Sequence, residues 1–163
     1  MRVTMVEEKL YRKGVSAFIV NSEGRPLLCE RADRSGRWQL PQGGIVEGEG
    51  LEDALRREFR EEIGTDRIDI LALLPEPLRY DFPPEVSRDY VGQEHRYFLV
   101  RLREGVEIDL ALALDREFQS VRWEFADALL DPARCAEFKI TVYAKALEAF
   151  RKEFPEAFAS DTK

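Results

Sequence analysis

The sequence predicts an α+β fold, a mixed sheet packed with two main helices. Two segments with apolar residues at helical spacing, 51–63 and 138–152, interrupt a series of short apolar runs of strand length. Strands and helices therefore come in mixed order. No internal repeat, low-complexity tract or long Pro/Gly/Ser linker divides residues 1–163, which are expected to form one domain.

The elements follow in order. Residues 14–20, GVSAFIV, read as a buried strand, and residues 25–31, RPLLCER, as a second. Asn21-Ser22-Glu23-Gly24 between them is a turn signal, so the pair is expected to form a hairpin. Residues 38–40, WQL, give a short strand. Residues 41–50, PQGGIVEGEG, hold too much glycine for regular structure and are expected to be a loop, with Glu49 or Gly50 near a helix start. Residues 51–63 read as a helix stopped by Gly64 at a C-cap position. Strands are expected over 68–74, 78–82 (closed by Pro83-Pro84), 95–102 and 121–125. The second helix, about 138–152, carries Phe138, Val142, Ala146, Leu147 and Phe150 at helical spacing. Pro155 to Lys163 is expected to fray.

Composition narrows the function. A hydrophobic fraction of 44% suits a globular core, and no apolar run reaches membrane-spanning length. The N-terminal MRVTMVEEKLYRKG lacks the apolar core and cleavage pattern of a secretory signal, so the cytoplasm is the expected compartment. Cys29 and Cys135 read as a reduced pair and are too few for a cysteine zinc site. The net charge of −7 disfavours a broad grip on duplex DNA. A local basic pocket or bound cations can still hold one phosphorylated end. His95 is the sole histidine, which leaves no material for a multi-histidine metal site or a histidine triad.

The first helix breaks its own pattern. At about 100° per residue, Leu51, Ala54 and Leu55 share one side, and Glu58, Glu61 and Glu62 fall at the same azimuth. A face that begins as core ends as three carboxylates. Acids three and four apart repel, and the helix C-terminus disfavours anions. On an inward face they also lose hydration. A hard divalent cation, Mg²⁺ or Mn²⁺, would offset this, and oxygen-only ligands suit these ions rather than zinc. The alternative for the helix alone is an ordinary charged surface. The residues around it decide against that.

The run from Gly43 through Glu49, Arg57, Glu58, Phe59, Glu61, Glu62 and Gly64 to position 65 resembles the Nudix box, G-x5-E-x7-R-E-U-x-E-E-x-G-U, where U is apolar. Thr65 is the one departure, at a position concerned with packing. The resemblance implies an α/β/α sandwich with a loop–helix–loop site. It implies that Glu58, Glu61 and Glu62 bind the catalytic metals and that the Gly43 carbonyl joins them. A glycine there makes physical sense, because it lets backbone approach an ion closely. Glu49 and Arg57 would form a salt bridge holding loop to helix.

Beyond the box, WQLPQGG is similar to the subgroup holding bacterial RNA pyrophosphohydrolases and asymmetric dinucleoside-polyphosphate hydrolases. The likeness continues in Tyr11-Arg12, Leu78-Arg79-Tyr80, Gly92-Gln93 before YFLV, Glu117-Phe118 with Trp123, and Phe138-Lys139 with Tyr143, over residues 11 to about 150. It implies that Tyr80 stacks on a base, against the alternative of a strand-end core tyrosine. Arg12, Arg79 and Lys139 would contact phosphates, or be plain surface cations. Gln42 would bond substrate or shape its loop. Glu117 would be an added metal ligand or base, or a simple loop carboxylate. His95 departs from the subgroup and is expected as a solvent-facing strand histidine, against the alternative of a base or substrate contact.

The expected reaction is metal-dependent hydrolysis of a phosphoanhydride bond in a nucleoside-diphosphate-linked substrate. That substrate is a dinucleoside polyphosphate or the 5′-triphosphate end of RNA, and Glu61 or a later acid such as Glu117 takes the proton. Two other readings stand beside it. One is a house-cleaning pyrophosphatase for nucleoside triphosphates or ADP-ribose. The other is a non-catalytic nucleotide sensor, disfavoured because every box acid is present.

Overall fold

The computed structural model describes residues 10–87 and 89–159. Strand β1 (Tyr11–Ile19) lies inside the larger sheet, whose order is β4 (Gln42–Gly44), β1, β7 (Gly92–Leu102), β5 (Ile68–Leu73). β6 (Leu78–Asp81) also pairs with β7. β1 and β7 run parallel, and the remaining pairs are antiparallel. A smaller antiparallel sheet has the order β3 (Trp38–Gln39), β2 (Leu27–Arg31), β8 (Phe118–Trp123).

Alternation along the central strands sends side chains to two separate cores. Val15, Ala17 and Ile19 of β1, with Phe98 and Val100 of β7, pack toward Ala54, Leu55, Phe59 and Ile63 of helix α1 (Leu51–Glu62) and its cap. Phe18, Tyr97 and Leu99 point the other way, toward Val142, Tyr143, Ala146, Leu147 and Phe150 of helix α2 (Glu137–Glu153). The result is helix, mixed sheet, helix: an α+β sandwich of three layers. Each fully buried Leu or Phe in these cores contributes about 1.5–3 kcal/mol.

α1 begins at Gly50, whose carbonyl accepts from Ala54 N, with Glu52 and Asp53 favourably placed in the first turn. It ends where expected. Gly64 adopts φ 78°, and a Cβ there would press to 2.8 Å from the Asp109 carbonyl. Two carbonyls of the last turn are capped from outside: Leu114 N donates to Arg60 O (3.3 Å) and Asp115 N to Glu61 O (2.8 Å). This ties the segment that carries Asp115 and Glu117 to the acidic end of α1. Thr65 does not pack as an apolar residue would; its hydroxyl accepts from Arg67 N.

Four expectations are corrected. The turn at 21–24 exists, with Asn21 Oδ1 accepting from Glu23 N and Arg25 N, but β1 and β2 form no hairpin ladder. Among the described residues their one β-bridge is Val20–Pro26, and β1 pairs instead with β4 over Gly14–Ser16 and with β7 along its length. Within the glycine-rich segment, Gln42–Gly44 is a strand, fixed by pairing with Ser16, Val15 and Gly14 rather than by its own propensity. The tail does not fray over 155–159: Phe158 is buried edge-on against Phe18 at 5.7 Å, and Ala159 N donates to Gly24 O. Residues 160–163 lie outside the described residues. Finally, His95 does not face solvent; it is 1% exposed, inside the sheet.

Cys29 and Cys135 are both free and buried. Among the described residues no helix is long and apolar enough to cross a membrane.

Candidate active site

A cleft of about 370 Å³ opens where the end of α1, strand β4, strand β6 and the start of α2 converge. Glu58, Glu61 and Glu62 line it together with Asp115 and Glu117 from the segment that caps the helix. Gln42, Gly43 and Gly44 form its rim. Arg12, Arg31 and Lys139 supply positive charge, and Tyr80, Phe82 and Phe138 supply aromatic surface.

The acids differ in environment. Glu62 is 2% exposed, and Gln42 N donates to its Oε2 at 3.1 Å. Burial pushes its carboxyl well above the usual range, and the neighbouring charge of Glu117 pushes further. Glu58 is also raised by burial, opposed by Arg57. Glu61 is half-buried. Arg57 organises the group: its Nε and Nη2 hold both oxygens of Glu49 (2.8 and 2.9 Å), and Nη2 also bonds the Gly44 carbonyl (2.7 Å). Its Nη1 reaches Glu58 (2.8 Å) and Glu61 (3.2 Å). Glu49 is thereby held down to about 2. The 8-residue spacing between Glu49 and Arg57 thus joins loop to helix through a bidentate pair.

Two features of these residues fit a divalent cation. An ideal Cβ on Gly43 would lie 1.8 Å from Glu58 Cδ and 2.0 Å from its Oε2, so only glycine leaves room for a carboxylate against this backbone. In addition, a buried acid beside a second acid marks an excess of negative charge that a cation relieves. The donor set is entirely oxygen, which suits a hard ion. Among the described residues no three Asp, Glu, His or Cys side chains stand assembled in metal-holding geometry. Glu58 and Glu61 are instead drawn to Arg57, the nearest positive charge.

Among the cations of the cleft, Lys139 is buried and donates to Gln39 Oε1 at 2.9 Å. Burial, with the Arg31 charge adding, lowers it to about 8. Arg12 is exposed and lies over Gly44, 2.9 Å from where a side-chain carbon would be. Tyr80 is buried at the cleft floor, bonded through its hydroxyl to Gln93 and packed on Phe138 with ring centroids 5.5 Å apart. Gln42 Nε2 donates to the same Gln93 oxygen at 3.4 Å, and Gln42 Oε1 is buried with no hydrogen-bond partner among the described residues. Arg79 is not brought to the cleft. Alternation along β6 puts it on the face opposite Tyr80, where it pairs with Glu94 at 2.6 Å and stacks over Tyr11.

Comparison with known proteins decides the family. The NUDIX domain matches residues 10–145. The RNA pyrophosphohydrolase of a Nitratiruptor species is 39% identical over 160 residues, covering 91% of this chain and 98% of the relative. That of Helicobacter pylori is 42% identical over 153 residues, covering 89% and 96%. The chain belongs to the Nudix family. As a Nudix hydrolase it acts on pyrophosphate bonds and depends on a divalent metal. Solved Nudix structures share the fold. An E. coli dihydroneopterin triphosphate pyrophosphohydrolase superposes with TM-score 0.67 at 20% identity, covering 89% of this chain and 99% of that one. A C. elegans Ap4A hydrolase gives 0.63 at 21%, covering 88% and 99%.

Several cleft residues of this Nudix chain have no role that the sequence alone assigns. Gln93 is visible there only as part of Gly92-Gln93. Arg31, Gln39 and Phe138 lie beside assigned residues, and strand alternation or helix spacing relates them to the site only once the sheets are known. Asp115 has no motif at all; its place comes from the hydrogen bond of its backbone to Glu61.

Proposed function

We propose that this chain removes pyrophosphate from the 5′-triphosphate end of RNA, with Mg²⁺ or Mn²⁺ as its cofactor. The observation that carries the reading is one cleft lined both by carboxylates from α1 and the 115–117 segment and by Arg12, Arg31 and Lys139. That is the charge pattern for a polyphosphate held between cations, some of them the protein's own. The near full-length relatives named RNA pyrophosphohydrolase support RNA as the substrate.

Glu58, Glu61, Glu62 and the Gly43 carbonyl would hold the metal, Arg57 remaining paired to Glu49 when it releases Glu58 and Glu61. When bound, the cation supplies neutralisation of phosphate charge and acidification of water. Lys139, fixed by Gln39, and Arg12 hold phosphate oxygens. Tyr80 and Phe138 offer aromatic surface to the first base. Glu117, at the cleft edge beside Glu62, accepts the proton of the attacking water. Water adds to the α-phosphorus, the α–β anhydride bond breaks, and pyrophosphate leaves a 5′-monophosphate end. The reaction belongs to the cytoplasm, the compartment that free, buried Cys29 and Cys135 also suit.

A substrate panel tests this. On end-labelled 5′-triphosphorylated RNA the expected products are pyrophosphate and monophosphorylated RNA, with kcat/KM above that on diadenosine tetraphosphate, free nucleoside triphosphates and ADP-ribose. A higher value on any of the three would overturn RNA as the substrate. Absence of turnover on all four would favour a sensor.

A further inference from the structure

His95 lies beneath the candidate site rather than on the surface. Its Nδ1 is 2.7 Å from Ser16 Oγ on β1, and among the described residues this is its only side-chain hydrogen bond. A buried imidazole costs more to desolvate than an apolar side chain of similar size, so core filling alone does not account for it. Its surroundings do. His95 sits in register with Gly14 of β1, and Gly14 with Gly44 of β4. Because Gly14 has no side chain, the imidazole edge can occupy the gap. An ideal Cβ on Gly14 would lie 2.7 Å from His95 Nε2 and 2.5 Å from the Gly43 carbonyl oxygen. One notch in β1 thus brings the ring and the Gly43 peptide to the same small space. On another side the ring meets Tyr80 edge to face, with centroids 6.2 Å apart.

We propose that His95 is a positioning residue of the Nudix centre. Held by Ser16, its ring fills the Gly14 notch and fixes the Gly43 peptide plane and the Tyr80 ring in one arrangement. This rests on the roles given above to Gly43 and Tyr80. Both are reached through packed groups with little freedom to readjust, and supporting residues of this kind set metal affinity without touching the ion.

The test is Mn²⁺ affinity of the nucleotide-free protein, read by electron paramagnetic resonance, for wild type, His95→Leu, His95→Gln and Ser16→Ala. A folded His95→Leu protein is expected to bind Mn²⁺ about tenfold or more weakly. His95→Gln, which keeps a polar group able to reach Ser16, should recover part of the loss. A ring that merely fills space predicts a lower melting temperature with unchanged affinity, and Mn²⁺ binding by His95→Leu within twofold of wild type overturns the proposal. Should His95→Leu not fold, Ser16→Ala decides by the same measure. It releases the ring without changing its volume, so weaker binding supports the proposal and unchanged binding refutes it. A wild-type protein that takes up Mn²⁺ but leaves triphosphorylated RNA intact defeats the substrate reading while the affinities still decide His95. A wild-type protein that takes up no Mn²⁺ defeats both.

Discussion

The carboxyl carbon of Glu58 lies 1.8 Å from the point where a side chain on Gly43 would begin. Helix α1 and strand β4 are therefore in contact through an acid on one and the absence of a side chain on the other. Gly43→Ala must displace Glu58 or part the two elements. We expect kcat/KM to fall about 100-fold, or about 2.7 kcal/mol in the barrier, with the circular dichroism spectrum retained. Steady-state kinetics check this; a variant within threefold of wild type would mean the contact has no part in the reaction.

Glu62→Gln should separate charge from shape. The amide oxygen can still accept from Gln42 N, while the buried negative charge beside Glu117 disappears. In chelator-containing buffer the variant should melt at or above the wild-type temperature, because a desolvated, repelled charge has been removed. Added Mg²⁺ should raise the melting temperature of wild type and not of the variant, and turnover should drop by orders of magnitude. Differential scanning calorimetry in both buffers gives the answer.

Lys139 is lowered to about 8 by burial, so its ammonium is lost in mildly alkaline solution. kcat/KM, which reports the free enzyme, should decline above about pH 8. Lys139→Arg, charged throughout, should flatten that limb. The stability effect has the opposite sense. The unfolded lysine, near 10.5, binds more protons than the folded one between about 8 and 10.5, so this group adds stability as pH rises through that window. A pH–rate profile of both proteins tests the first statement, and urea melts at pH 8 and 10 the second.

Glu49 has the same sign in acid. The Arg57 hydrogen bonds hold it down to about 2, so its contribution is complete above the ordinary 4.5 and is lost as pH falls toward 2. The pair is partly open to solvent, so Glu49→Gln should cost about 1 kcal/mol at neutral pH. The gap to wild type should close in acid. Arg57→Ala should cost about 3 kcal/mol, since Glu49, Glu58 and Glu61 lose their shared partner. Denaturant titrations at pH 7 and pH 3 distinguish these outcomes from a pair that contributes nothing.

Helix α1 is legible in the sequence because its 3.6-residue period, its acids and Gly64 agree on both bounds. Tyr80 and Arg79 show what periodicity can add. Neighbours on a strand face opposite ways, so at most one of them can line the cleft. His95 carries a similar signal, since alternation places it with Tyr97 and Leu99, both core residues. A polar side chain on a strand suggests solvent, yet here both sides of the sheet are covered by helices. Strand β4 is illegible for a different reason: with two glycines in three residues, it is a strand only because β1 offers an edge. The separation of β1 from β2, and the arrival of Asp115 at the end of α1, depend on contacts distant in sequence that no local pattern records.

The most direct measurement is calorimetric titration of Mg²⁺ and Mn²⁺ into the intact, folded protein, with and without a non-hydrolysable triphosphate. Saturable uptake that is lost when Glu58, Glu61 and Glu62 are replaced by glutamine is the expected result. No uptake of either ion under either condition would contradict the assignment of these glutamates.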